Sequence, residues 1–353
     1  MAQYFNATPP IWVGGILELV AIVVLLAGFY VAWSIGANGS GDCIGTAVGG
    51  RILSYRRAVA IMILFVLLGA GLEGWKNMHT VGEGIVIGPP GTNPLSNVPL
   101  LVVSTLLVVG IWTTINTMWG LPISTSQSMV GAVIGAGLLL SHFQPGGAEI
   151  NVQFGVLGAI LISWLLSPIF ALLLAFIIYR VISPPLRRIK NIVVLNQVSL
   201  ILIIATSAAT AYALGANDVG ASTGAVYAFF RDGANWSIMM LIGLLGGVGL
   251  AVGALTYSRK VMHTMGSGIT KLDALSASAA QLGAALTVWS FVQFRIPVST
   301  TQAIVGAIIG VGLVKGAAAV SGRKLGHIWI VWVLGPIITC VLSIVLGWLI
   351  LTL

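Results

Sequence analysis

Hydrophobic runs of about twenty residues recur along the whole chain, separated by short stretches where charge collects. They lie near 13–50, 58–75, 98–119, 120–141 and 153–179, then near 192–229, 236–258, 273–293, 295–314 and 327–353. Each is long enough to cross roughly 30 Å of hydrocarbon as an α-helix. The short alternating segments of a transmembrane barrel are absent. The pattern predicts an all-α polytopic membrane protein, with five runs on either side of the charged stretch RVISPPLRRIKN (180–191). The first run of each half is long and contains Gly-Ala-Asn, which predicts broken or re-entrant pieces and raises the expected count from ten helices towards twelve.

The halves repeat each other. Residues 120–139 (GLPISTSQSMVGAVIGAGLL) match 295–314 (RIPVSTTQAIVGAIIGVGLV) at eleven of twenty positions. SIGANGSGDCIGTAVGG (34–50) matches ALGANDVGASTGAVYAF (213–229), and MHTVGEGI (78–85) matches MHTMGSGI (262–269). The three pairs keep their order and nearly one offset, so they mark a duplication. The expected organisation is a first repeat at 1–179, a cytoplasmic linker at 180–191 and a second repeat at 192–353. An odd number of crossings per half would invert one repeat against the other, a common construction of secondary transporters.

Composition agrees and narrows the classes. The chain is 58% hydrophobic and 7% charged, with mean hydropathy +1.06. Its net charge of +8 does not imply nucleic acid, because most of the basic residues fall in four short connections. These are Arg51, Arg56 and Arg57; Arg180, Arg187, Arg188 and Lys190; Arg259, Lys260 and Lys271; and Lys315, Arg323 and Lys324. Basic connections face the cytoplasm, so both termini are expected outside and the location is the cell's inner (plasma) membrane. Residues 1–12 carry no Lys or Arg, so no cleavable leader is expected. Cys43 and Cys340 lie in separate apolar runs and are not expected to pair. No Walker-type loop with Lys and no Cys/His cluster is present, so neither an enzyme nor a cofactor is expected.

Two motifs carry candidate chemistry. Each Pro-x-Ser-Thr-x-Gln block places proline, hydroxyls and a carboxamide at a helix entrance, where free amides and the helix dipole suit an oxyanion. One such entrance would be no more than a cap. Two copies, each with a Gln one step further in, point to a ligand site built on Ser124, Thr125, Gln127, Ser299, Thr300 and Gln302. The Gly-Ala-Asn segments place Asn38 and Asn217 at membrane depth, beside Asp42 and Asp218. No basic residue lies within either segment. Acids so placed are functional candidates, and with Asn oxygens and opened carbonyls they suit sodium. Glu73 stands three residues before Lys76, at ion-pairing distance on a helix. Glu18 has no matching acid, and His79 and His263 are expected to serve in structural hydrogen bonds.

GANDVGASTGA, GANGSGDCIGT and the paired P-[IV]-S-T-[ST]-Q…VGA-[VI]-IG blocks resemble the inorganic phosphate transporter (Pit) family over essentially the whole chain. The resemblance implies an inverted-repeat symporter coupling phosphate to sodium or protons. It implies phosphate at Ser124, Thr125, Ser299 and Thr300 with their neighbours Ser126, Thr301, Gln127 and Gln302, and cation at Asn38, Asn217 and Asp218; Asp42 is assigned by position and charge. The chain departs from the family pattern at Gly39, where Asp is usual, at Asp42 and Ala221, where Asn is usual, and at Gln127 and Gln302, where many members have His. Alternatives are a proton-coupled phosphate transporter, a sulfate permease of the same fold, or a passive anion channel. The expected partners are phosphate, sodium and the lipid bilayer, with no nucleic acid; a homo-oligomer is compatible with the sequence.

Overall fold

The computed structural model describes residues 13–50, 52–88, 94–95, 98–143, 151–230, 236–267, 272–316 and 322–352. Twelve α-helices are found among them. They are α1 (Val13–Gly49), α2 (Tyr55–Glu73), α3 (Trp75–His79), α4 (Pro99–Met118), α5 (Thr125–Phe143), α6 (Phe154–Arg187), α7 (Ile192–Phe230), α8 (Trp236–Tyr257), α9 (Arg259–Ser267), α10 (Ala274–Gln293), α11 (Thr300–Lys315) and α12 (Gly322–Thr352). Eight are long and apolar enough to cross a membrane. A π-helical turn (Thr80–Gly84) follows α3, and a short antiparallel pair, β1 (Val86–Ile87) with β2 (Asn151–Val152), ties the chain before α4 to the chain after α5.

The helices pack reciprocally. α1 lies on α8 and α7 on α2; α5 lies on α12 and α11 on α6; α1 contacts α4 and α9, as α7 contacts α10 and α3. The sequence halves are thus interlocked, each lending its last helix to the hairpin of the other. Glycines set these approaches. A Cβ on Gly36 would strike the backbone of Leu250, and one on its match Gly215 the backbone of Val66. Gly131 and Gly135 sit against Pro336 and Cys340 of α12, and their matches Gly306 and Gly310 against Pro168 and Leu172 of α6. Close approach through small residues substitutes for the hydrophobic driving force that lipid removes.

Two expectations need correction. α1 and α7 are continuous through Gly-Ala-Asn, with no break. Their polar side chains bond to their own helix's carbonyls: Ser40 to Gly36, Ser222 and Thr223 to Val219. Those bonds satisfy the hydroxyls within their own helices, while the glycines serve packing. The stretch 180–191 is also mostly helical, since α6 runs to Arg187 and only residues 188–191 connect the halves. Pro184 and Pro185 fall in its final turn, where little helix remains to be disrupted.

The basic connections gather in two groups. Tyr55 bonds to Ala254 O (3.1 Å) beneath the Arg259 guanidinium (4.9 Å). Asp273 caps α10 and meets Lys315 (3.0 Å) and Arg187 (3.8 Å). Arg51 and Lys271 lie outside the described residues, as do the side chains of Arg323 and Lys324. The expected Glu73–Lys76 pair is present at 2.9 Å. His79 faces Glu83 at 3.4 Å, and both cysteines are free.

Candidate functional site: two helix entrances meeting tip to tip

α4 turns into α5, and α10 into α11, through short connections with matched backbones. Gly120 and its counterpart Arg295 both have positive φ, at 69° and 59°. Arg295 is held in this conformation, unfavourable for a side chain, by Thr80 on its carbonyl (2.7 Å) and by Trp75 beneath its guanidinium (5.1 Å).

Each Gly-Ala-Asn asparagine clamps the extended strand that leads into its own entrance. Asn38 Nδ2 donates to Leu121 O (3.0 Å) and Thr117 Oγ1 (3.0 Å), and its Oδ1 accepts from the Ile123 N–H (3.1 Å). Asn217 Nδ2 donates to Val298 O (2.8 Å), and its Oδ1 accepts from the Val298 N–H (3.2 Å). The two amides thus satisfy backbone groups that would otherwise be orphaned in a buried turn. Each Oδ1 accepts from one backbone N–H, so both side chains help to shape the framework of the entrances.

The entrances then meet across the two halves. Ser126 Oγ donates to Val298 O (2.9 Å), and its match Thr301 Oγ1 donates to Ile123 O (2.9 Å). Ser124 and Ser299 cap their helices, accepting from the N–H groups of Gln127 (3.4 Å) and Gln302 (3.1 Å). The acids sit at the same junction. Asp218 Oδ1 accepts from Asn217 Nδ2 (2.6 Å) and Thr300 Oγ1 (3.0 Å), and Asp42 Oδ2 accepts from Thr301 Oγ1 (2.7 Å). Among the described residues no Lys, Arg or His pairs with either acid, and no group of three His, Cys, Asp or Glu is gathered.

All twelve sequence-predicted site residues therefore converge. None of the eight entrance residues is more than 6% exposed, and the two acids are 1% and 3% exposed. Asp42 Oδ1, Gln127 Oε1 and Gln302 Oε1 are buried without a protein partner. An apolar cavity of about 480 Å³, lined in part by Phe65, Tyr212 and Trp289, lies elsewhere and shares no residue with the site. Sequence reasoning missed Asn77. This fully buried side chain donates to Asn217 Oδ1 (3.0 Å), with its own Oδ1 unpartnered. Its counterpart in the other half is Val261, so the repeat comparison gave no signal there.

A polytopic helical fold with a sealed, duplicated, donor-rich site at the junction of two interlocked halves defines a membrane transport protein rather than an enzyme. The chain belongs to the phosphate transporter family, whose model matches residues 35–202 and 187–343. It is 31% identical over 333 residues to a protein of Methanocaldococcus jannaschii whose name gives it as a phosphate permease, covering 94% of this chain and 98% of that one. A protein of Pyrococcus furiosus with the same kind of name is 29% identical over 386 residues, covering 89% and 92%. A solved structure of a sodium-dependent phosphate transporter superposes with TM-score 0.83 at 25% identity, covering 95% of this chain and 100% of that one.

Proposed function

We propose that this chain carries inorganic phosphate across the membrane together with sodium, by alternating access between two inverted repeats. The observation behind this reading is the junction itself. Two helix starts rich in hydroxyls and amides meet at one buried point with two acids that have no basic partner among the described residues. Anions bind at helix starts. A buried carboxylate without a positive partner takes up a cation or a proton, and a cation there would offset its repulsion of the incoming phosphate. The acids also favour phosphate over sulfate, because phosphate near neutral pH retains a proton that a carboxylate can accept. Burial of the site from solvent fits alternating access better than a continuous pore. In this reading the basic connections face the cytoplasm, both termini lie outside, and the membrane is the cell's inner membrane.

Radiolabelled phosphate uptake into proteoliposomes, with the sodium and pH gradients varied separately, tests the proposal. Saturable uptake that follows the sodium gradient is expected. Uptake driven by the pH gradient alone would replace sodium with a proton, and non-saturable flux would make the protein a channel.

A further inference from the structure

The two entrances share a backbone but not a charge. Asp218 follows Asn217 in α7 and binds the Thr300 hydroxyl (3.0 Å). The matching position after Asn38 is Gly39, so Thr125 has no equivalent acid. Among the described residues, its hydroxyl bonds to nothing. The acid of the first half stands one turn later, at Asp42, where the second half has Ala221. From there it accepts from Thr301 rather than from α5 (2.7 Å). Both carboxylates are thus held by the first turn of α11, and neither by the first turn of α5.

A helix start carries a partial positive charge of about half a unit. Two carboxylates accept hydrogen bonds from the first turn of α11, and none accepts one from the first turn of α5. Both first turns also present a buried carboxamide whose oxygen has no partner: Gln127, 4% exposed, and Gln302, 3% exposed. A carboxamide can serve either ligand, since Nε2 donates to an anion and Oε1 accepts a cation.

We infer that the matching entrances have diverged into an anion end and a cation end. α5 takes the phosphate oxygens through the Thr125 hydroxyl, the Gln127 amide and its first-turn N–H groups. α11 takes the cation through oxygens of Asp42, Asp218 and Gln302. This rests on the symport reading above and adds a division of labour that a symmetric site would lack. Gly39 is part of the device. A Cβ there would lie 3.7 Å from Asp218 Oδ2 and 3.9 Å from Asp42 Oδ2, so an acid at 39 would crowd a third carboxylate against the other two.

The test compares the near-isosteric variants Gln127→Glu and Gln302→Glu in purified protein. Phosphate binding is measured at saturating sodium, and sodium binding at saturating phosphate, which separates the two ligands. Gln127→Glu is expected to weaken phosphate binding by about a hundredfold, because it sets a charge against the anion. Gln302→Glu, which adds a third carboxylate at the cation end, should change sodium binding by about tenfold or more, while phosphate binding at saturating sodium changes by less than about threefold. Thr125→Val should weaken phosphate about tenfold and Thr125→Ser restore it, while Thr300→Val should weaken sodium instead. Equal loss of phosphate in the two glutamate variants would overturn the division of labour while leaving symport standing. A wild-type protein that binds no phosphate at all would remove both.

Discussion

The two halves of this molecule agree in how they pack and differ in what they offer a ligand. Gly36 and Gly215, Gly131 and Gly306, and the clamps Asn38 and Asn217 occupy matching places and do matching work. The carboxylates do not, since both engage α11 and neither engages α5. Packing tolerates little change because each close helix crossing needs the same missing side chain twice. Charge is freer to move, because a carboxylate one turn away on the same helix reaches the same junction. The lesson is that duplication conserves the frame more strictly than the chemistry mounted on it.

The largest effect should come from the frame. Gly36→Ala and Gly215→Ala each drive a Cβ into the backbone of a partner helix. Each should destabilise by at least the about 1–3 kcal/mol of core overpacking, and by similar amounts in the two halves. Gly155→Ala, where a Cβ meets nothing within 4 Å, should stay within about 0.5 kcal/mol of wild type. Thermal unfolding in detergent measures all three. One glycine proving tolerant while its match does not would break the equivalence of the halves.

A smaller and unequal effect should follow at the clamps. Asn38→Ala orphans the Ile123 N–H and the Leu121 carbonyl. Asn217→Ala orphans the Val298 N–H, while the Val298 carbonyl keeps Ser126; it also strips partners from Asn77, Asp218 and Thr300. At about 1–3 kcal/mol for each buried group left unpaired, Asn217→Ala should cost more than Asn38→Ala. Chemical unfolding of the two variants side by side checks the order, and the reverse order would contradict the network described here.

Much of this was legible in the sequence because hydropathy and internal repetition are direct signals. The apolar runs located the crossing helices, and the paired Pro-x-Ser-Thr-x-Gln blocks located the entrances. What stayed hidden depends on contacts rather than patterns. Gly-Ala-Asn reads as a helix breaker until Gly36 and Gly215 are seen packed against neighbouring helices within unbroken α1 and α7. Asn77 is invisible to a repeat comparison because Val261 stands opposite it. The interlocking of the halves, and the reciprocal reach of Ser126 and Thr301, join residues more than 170 apart in sequence. Arg295 gives no hint of its left-handed backbone until Trp75 and Thr80 are seen beside it.

The central claim is that anion and cation meet at one junction and help each other bind. Equilibrium binding on purified protein addresses it most directly, with phosphate titrated at several fixed sodium concentrations and sodium at several fixed phosphate concentrations. Linkage requires that sodium raise phosphate affinity and that phosphate raise sodium affinity by the same factor. Asp218→Asn, which removes a carboxylate but keeps its shape, should flatten that dependence in a protein that still folds. Phosphate affinity indifferent to sodium in the wild type, or reciprocity intact in Asp218→Asn, would contradict the account.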